Sequence, residues 1–293
     1  MKKGAKAELL ARSWTVVASE YDKRLAPLFH PWINQLVKLF VAQKMPPGCI
    51  LAPACGPGAE LLMLAQELPF DRYIVGIDLA EGMIDLASQR LSESGLSERA
   101  KVRVGDACQV PQDLQPLAGI FSCFGLQQMP EPKQHVQVLG SWISALAPGG
   151  FLALCYWPPA DGQRDAAWRA LTDPSLFKPA ATIERGWDAD LAAAAIAAGA
   201  DVLQDISPAH PMAFDSPSHC FEVMMEAGPL HSRLLHLGAP HMADLKMRYI
   251  SNFPKLLPGS AFVIRPNARM LLLRKCAGAF LSGCLVFQGA VLI

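Results

Sequence analysis

A chain of 293 residues, 52% hydrophobic and 18% charged, has enough apolar material for one large core or two smaller ones. Its 26 basic and 26 acidic side chains cancel and no long basic run occurs, which excludes the electrostatic footprint of a dedicated nucleic-acid binder. A small molecule is the expected partner. The eight cysteines (Cys49, Cys55, Cys108, Cys123, Cys155, Cys220, Cys276 and Cys284) form no Cys-x-x-Cys pair. Several sit in apolar runs, so they read as free thiols of a reduced, intracellular compartment. Lys2, Lys3 and Lys6 are not followed by a signal-peptide core, because Glu8, Arg12 and Ser13 interrupt it, so a cytoplasmic location is expected.

Residues 7 to 44 read as helical, with Trp14, Val17, Tyr21, Leu25, Trp32, Leu36, Leu39 and Phe40 on apolar faces, and Pro27 and Pro31 predicting a division into two or three helices. Pro46, Pro47 and Gly48 lead into a short apolar run, Ile50 to Pro53, which stops in a glycine-containing turn. A helix pattern follows at once, with Leu61, Leu64, Ala65 and Leu68 at the spacing of one buried face. The stretch ILAPACGPG therefore predicts strand, tight loop and helix. Gly56 and Gly58 let the loop backbone approach a ligand, and its N–H groups are expected to hold a phosphate or carboxylate.

Tyr73 to Asp78 is the second strand, and it ends in a carboxylate about twenty residues beyond Gly58, placed to accept from two ribose hydroxyls. Capping of the helix Leu79 to Leu91 would account for the same aspartate. Lys101 to Gly105 is the third strand, and Asp106 after it suits either a ligand contact or a strand end. Leu117 to Phe124 and Phe151 to Trp157 give the fourth and fifth strands, with a helix near Gln134 to Leu146 between them. This alternation predicts a largely parallel sheet covered on both faces, with ligands beyond the carboxyl ends of its strands.

The ordered set ILAPACGPG, GIDLAEGMIDLA, VGDA, FSCFGLQQMPEP and LAPGGFLAL resembles the successive motifs of class I S-adenosylmethionine-dependent methyltransferases, especially the small-molecule group similar to ubiquinone and menaquinone biosynthesis enzymes. The resemblance covers about Tyr21 to Trp157 and extends more faintly to Arg269 to Leu273. It implies a Rossmann-like α/β fold: a mostly parallel seven-stranded sheet with an antiparallel final strand, helices on both faces, a helical N-terminal cover and a substrate-covering insertion. It also implies S-adenosyl-L-methionine as cofactor. Carried over by position, it gives Cys55, Gly56 and Gly58 to the methionine part, Asp78 to the ribose, and Leu79 and Met83 to the adenine. Asp106 and the Ala107 backbone would meet the adenine edge, Phe124 would lie near the sulfonium, and Tyr21 belongs to the cover. Ala52 stands where the family usually has an acid and Ala54 where it usually has its first glycine. Ala118 replaces a common aspartate, and Gln127 with Gln128 replaces a frequent histidine pair.

Beyond Trp157 the sequence predicts a helix from Ala189 to Ala200, a sixth strand near Val202 to Ile206, and a helix from Ser216 to Ala227 with Ser216 as its N-cap. Phe221, Met224 and Met225 on that helix suit either a lid over an apolar substrate or ordinary core. Pro258, Gly259 and Arg265 to Asn267 mark turns around the last strands. The seven histidines make no metal pattern, so no metal is expected, and His30, His210 and His219 are the open candidates for a proton acceptor. The eighteen residues Cys276 to Ile293 carry no charge, at the lower limit for a bilayer span. Gly278, Gly283, Gly289 and Gln288 make a poor span, so a packed extension is expected ahead of a membrane anchor.

One catalytic domain is expected over residues 1–275, comprising cover (1–45), cofactor core (46–157) and substrate-covering part with final strands (158–275), followed by the tail 276–293. The expected activity is methyl transfer to a small apolar or aromatic acceptor, with no catalytic residue assigned. A nicotinamide-dependent oxidoreductase is the rival enzyme class, since Ala54, Gly56 and Ala59 can be set against the dinucleotide fingerprint. A non-catalytic scaffold is the third reading.

Overall fold

A computed structural model describes residues 3–129, 134–159, 162–172, 191–228, 230–253 and 261–277. Two helices, α1 (Lys3–Glu20) and α2 (Ala26–Val41), precede the first strand, joined by one π-helical turn, Tyr21–Leu25. The break therefore falls at Tyr21, not at the prolines. Pro27 occupies the first turn of α2, where its missing N–H costs nothing, and Pro31 lies inside the same helix, held by a buried face that includes Phe29, Trp32, Ile33 and Leu36.

The strands β1 (Ile50–Pro53), β2 (Ile74–Asp78), β3 (Ala100–Val104), β4 (Leu117–Cys123), β5 (Leu146–Tyr156), β6 (Ala200–Ile206) and β9 (Arg269–Lys275) form one seven-stranded sheet in the order β3-β2-β1-β4-β5-β9-β6. The pairs from β3 to β5 are parallel, and β9 runs antiparallel to both of its neighbours. The strand expected from Phe151 begins five residues earlier, at Leu146, because residues of the preceding turn already pair with β4. The short strands β7 (Met212–Phe214) and β8 (Phe262–Ile264) pair with each other outside the main sheet.

Strand alternation divides the core. Ile50, Ala52, Phe121, Ala153 and Leu272 point to the face covered by α2, α3 (Ala59–Glu67) and α8 (Pro217–Glu226). Leu51, Ile120, Leu152, Leu154 and Leu271 point to the other face, against Trp142 and Ile143 of α5 (Gln134–Ala145) and Leu191 and Ala195 of α7 (Leu191–Ala197). Both faces are sealed, which is why these strands read as unbroken apolar runs. The helix α4 (Glu81–Glu93) follows β2, α6 (Ala166–Thr172) follows β5, and α9 (Leu230–Leu237) and α10 (Ala239–Asn252) follow α8.

Ser216 caps α8 as expected, its hydroxyl accepting from the His219 N–H at 3.1 Å. Phe221 and Met224 of α8 are core residues and Met225 is half-buried, so this surface is not an exposed apolar face. Pro258, Gly259 and residues 278–293 of the tail fall outside the described residues. Among the described residues no helix is long and apolar enough to cross a membrane.

Candidate active site

The loops leaving β1, β2, β3 and β4 meet at the carboxyl edge of the sheet, under α1, and enclose a cavity of about 450 Å³. Tyr21, Cys55, Gly56, Asp78, Leu79, Met83, Asp106, Ala107 and Phe124 all line it. Gly58 does not. It sits at the start of α3 with φ of 81°, and a Cβ there would lie 2.9 Å from the Ala87 Cβ of α4. Its glycine is required by left-handed backbone and by close packing of the loop on α4, and no ligand contact is needed to explain it.

The loop after β1 is internally bonded. The Cys55 N–H donates to the Ile77 carbonyl (3.0 Å), the Gly56 N–H to Asp78 Oδ2 (2.9 Å) and the Gly58 N–H to the Cys55 carbonyl (3.1 Å). These three amides are thus spent inside the protein, and the expectation that they hold an anionic group fails for them. Asp78 also accepts from the Ala80 N–H through Oδ1 (2.9 Å), which fastens the start of α4. Burial raises the Asp78 carboxyl above its usual range, against the lowering effect of the Ala80, Gly56 and Leu79 amides. Asp106 closes its own turn by accepting from the Cys108 N–H at 2.9 Å. Asp78 does not cap α4, whose N-cap is Ala80 with no side-chain bond, but both aspartates close a local turn alongside their places in the cavity wall.

Two non-glycine residues take left-handed backbone here, Ala54 at φ 54° and Phe124 at φ 57°. Such conformations persist only where the surroundings over-determine them. Ala54 occupies the place of the expected glycine, and its Cβ lies 2.6 Å from where a Cβ on Gly125 would be, so the loops after β1 and β4 interlock. Phe124 is held by its N–H donating to the Cys155 carbonyl (2.7 Å) and by the Gln127 amide donating to its own carbonyl (2.7 Å). Its ring stacks on Trp157 at 4.4 Å between centroids and meets Phe29 at 5.0 Å.

That aromatic cluster borders a second cavity of about 300 Å³, lined by Phe29, Trp157, Trp168, Leu171, Met224 and Arg233 among others. Trp14, Tyr21, Phe124 and Gln128 line both cavities, so the two share a wall. Arg233 is the one charged residue in the described lining of the second cavity, and its burial lowers the guanidinium from its usual range. None of His30, His210 and His219 lines either cavity. His210 instead pairs with Gln35 at 3.2 Å with its ring edge-on to Trp32. Among the described residues no three metal-ligating side chains cluster.

Sequence reasoning passed over Glu60, in the first turn of α3. Glu60 is only 6% exposed, lines the first cavity, and its Oε1 has no hydrogen-bond partner. Burial, with a smaller contribution from the Asp78 carboxylate, raises its carboxyl from 4.5 to about 8, against lowering by its own backbone and by Arg90. The signal was present, since Glu60 stands four residues before Leu64 and so on the apolar stripe of its helix. Tyr21 faces the same group of acids, and burial together with Glu60 and Asp78 pushes its phenol well above the usual range. Arg90 of α4 donates to the Pro57 carbonyl and pairs with Asp22, tying the π-helical turn to the glycine loop.

Residues 50–150 match the model of a family described as a methyltransferase domain. Over 170 residues the chain is 29% identical to the biotin biosynthesis bifunctional protein BioHC of Teredinibacter turnerae, covering 56% of this chain and 29% of that protein. Over 152 residues it is 25% identical to a demethylmenaquinone methyltransferase of Listeria monocytogenes, covering 50% of this chain and 62% of that one. The chain thus spans less than two thirds of the length of these curated relatives. Among solved structures, the YcgJ protein of Bacillus subtilis superposes with a TM-score of 0.54 at 15% identity, covering 85% of this chain and all of that one. A geranyl diphosphate C-methyltransferase of Streptomyces coelicolor gives 0.51 at 13% identity, covering 87% and 82%. With the strand order, the antiparallel β9 and the helical N-terminal cover, these likenesses establish a class I S-adenosylmethionine-dependent methyltransferase fold.

Proposed function

We propose that the chain transfers a methyl group from S-adenosyl-L-methionine to a small apolar or aromatic acceptor. The carrying observation is the acidic lining of the first cavity: the carboxylates of Asp78 and Asp106 stand in it, and no lysine or arginine does among the described residues. S-adenosylmethionine bears a sulfonium and an ammonium against one carboxylate and is net cationic. A nicotinamide dinucleotide brings a diphosphate, which this wall would repel. Three loop amides that would cradle a diphosphate, those of Cys55, Gly56 and Gly58, are already bonded within the protein. The methyltransferase-domain match over residues 50–150 supports the same reading.

In this assignment Asp78 accepts from the ribose hydroxyls with lone pairs left free by Gly56 and Ala80. Leu79, Met83 and Ala107 give the adenine an apolar slot, with Asp106 at its polar edge. Gly56 and Cys55 adjoin the methionine part, under the Tyr21 wall. Bound there, the cofactor supplies an electrophilic methyl on its sulfonium. The chain's task is to orient an acceptor in the second cavity and exclude water. Phe124 and Trp157, stacked and held in place, give that cavity a rigid aromatic side on which a flat or apolar molecule can lie. Among the described residues no histidine lines either cavity, so an acceptor that must lose a proton would find its base in another group or in water.

Calorimetric titration with S-adenosylmethionine, S-adenosylhomocysteine and NAD tests the proposal. The first two should bind and the dinucleotide should not. Heat from the dinucleotide alone would reject the reading.

A further inference from the structure

Glu60 stands in the first turn of α3, where its own backbone N–H bonds its carboxyl, and that bond leaves Oε1 over. A carboxyl buried this deeply needs partners for its oxygens, and Oε1 has none. The nearby cation cannot be supplying them in full, because Arg90 is engaged with Asp22 and with the Pro57 carbonyl. A side chain serving only the core would be expected to be apolar here, as Leu61, Leu64 and Ala65 are. What distinguishes the position is that it opens onto the first cavity, beside Cys55, Gly56 and Tyr21.

We propose that Glu60 is the counter-ion of the cofactor's α-ammonium group, an inference that rests on the cofactor reading above. Two cationic centres on S-adenosylmethionine could face this carboxylate. Only the ammonium carries N–H donors, and an oxygen lacking a hydrogen-bond partner is satisfied by a donor and not by a sulfonium. A proton-accepting role toward the methyl acceptor is disfavoured, because Glu60 is absent from the lining of the second cavity. Without ligand, burial keeps Glu60 largely protonated at neutral pH. Arrival of the ammonium favours the carboxylate, so cofactor binding should release a proton from this residue.

The test uses the full chain and three probes: S-adenosylhomocysteine, its deamino analogue, and 5′-methylthioadenosine, which lacks the amino-acid part. Calorimetry at pH 7 in buffers of different ionisation enthalpy reads both affinity and proton release. The wild type should prefer S-adenosylhomocysteine over the deamino analogue by about ten- to a hundredfold and release close to one proton on binding it. Glu60→Gln should lose that preference and the proton release, while its affinity for 5′-methylthioadenosine stays unchanged, which also shows that the variant is folded. Glu60→Asp should retain the proton release in part.

A Glu60→Gln variant that binds S-adenosylhomocysteine as tightly as the wild type would overturn the assignment. So would an equal loss for all three probes, which marks a structural role. If the wild type binds none of the three nucleosides, the cofactor reading falls and this inference with it; either of the former outcomes removes the inference alone.

Discussion

Replacing Glu60 by glutamine should change how the stability of the ligand-free protein depends on pH. In the unfolded chain this carboxyl titrates near 4.5, and in the folded one burial raises it to about 8. Between these values the folded state holds a proton that the unfolded state releases. A raised folded value means that the contribution is complete below pH 4.5 and is lost as pH climbs through about 8. A shift of this size corresponds to roughly 5 kcal/mol between the two limits, against about 5–15 kcal/mol for the whole stability of an ordinary domain. Glutamine keeps the shape and has no proton to lose, so its contribution should be flat across the window. Urea unfolding at unit steps from pH 5 to 9 reads the difference, with other titrating groups cancelling between the two proteins. At a slope of about 1–3 kcal/mol per molar, the wild-type midpoint should fall relative to the variant by more than about 1 M. Parallel curves would refute the reasoning, since a carboxyl that ionises without penalty is not buried as the structure has it.

Two further substitutions probe the frame of the site. Gly58→Ala should destabilise by about 1–3 kcal/mol, because it adds left-handed strain at φ 81° and a Cβ 2.9 Å from Ala87; chemical denaturation of Gly58→Ala beside the double variant with Ala87→Gly should show partial recovery, and no loss in the single variant would contradict the packing role. Ser216→Ala should cost about 1 kcal/mol through loss of the α8 cap, read as a lowered melting temperature with affinity for S-adenosylhomocysteine unchanged.

Much of the fold was legible because each of its local signals agreed with the others. The apolar runs at Ile50, Ile74 and Leu117 are buried on both sheet faces, and the stripe Leu61, Leu64, Ala65 faces the core as its spacing implies. The helix break was misplaced because proline is a local signal only. Pro31 survives inside α2 since tertiary burial outweighs one missing hydrogen bond, and the π-helical turn at Tyr21 leaves no mark in composition. Ala54 reads as a defect in the glycine motif, yet the structure keeps it in the same left-handed backbone a glycine would take, at a cost of about 1–2 kcal/mol. It packs against the loop of Gly125, 71 residues away, a contact that periodicity cannot display. Glu60 was passed over for the opposite reason: an acid in the first turn of a helix reads as an ordinary surface residue, although its spacing to Leu64 puts it on the apolar stripe. The second cavity draws on α1, α2, the loops after β4 and β5, α6, α8 and α9, so its shape arises from assembly and no single stretch foreshadows it.

Gly82 lies in the first turn of α4, outside both cavities, and a Cβ there would sit 2.8 Å from the Thr15 carbonyl of α1. The absence of that one carbon allows α1 to rest directly on the backbone of α4, with Trp14 and Leu10 of α1 in the lining of the first cavity. The spacing of α1 from α4 is thus fixed by a residue that lines neither cavity. A larger residue at position 82 would act as a spacer, lifting α1 and admitting solvent while leaving every contacting side chain intact. How tightly the first cavity is enclosed therefore depends on the seam between two helices, at a position that lines neither cavity.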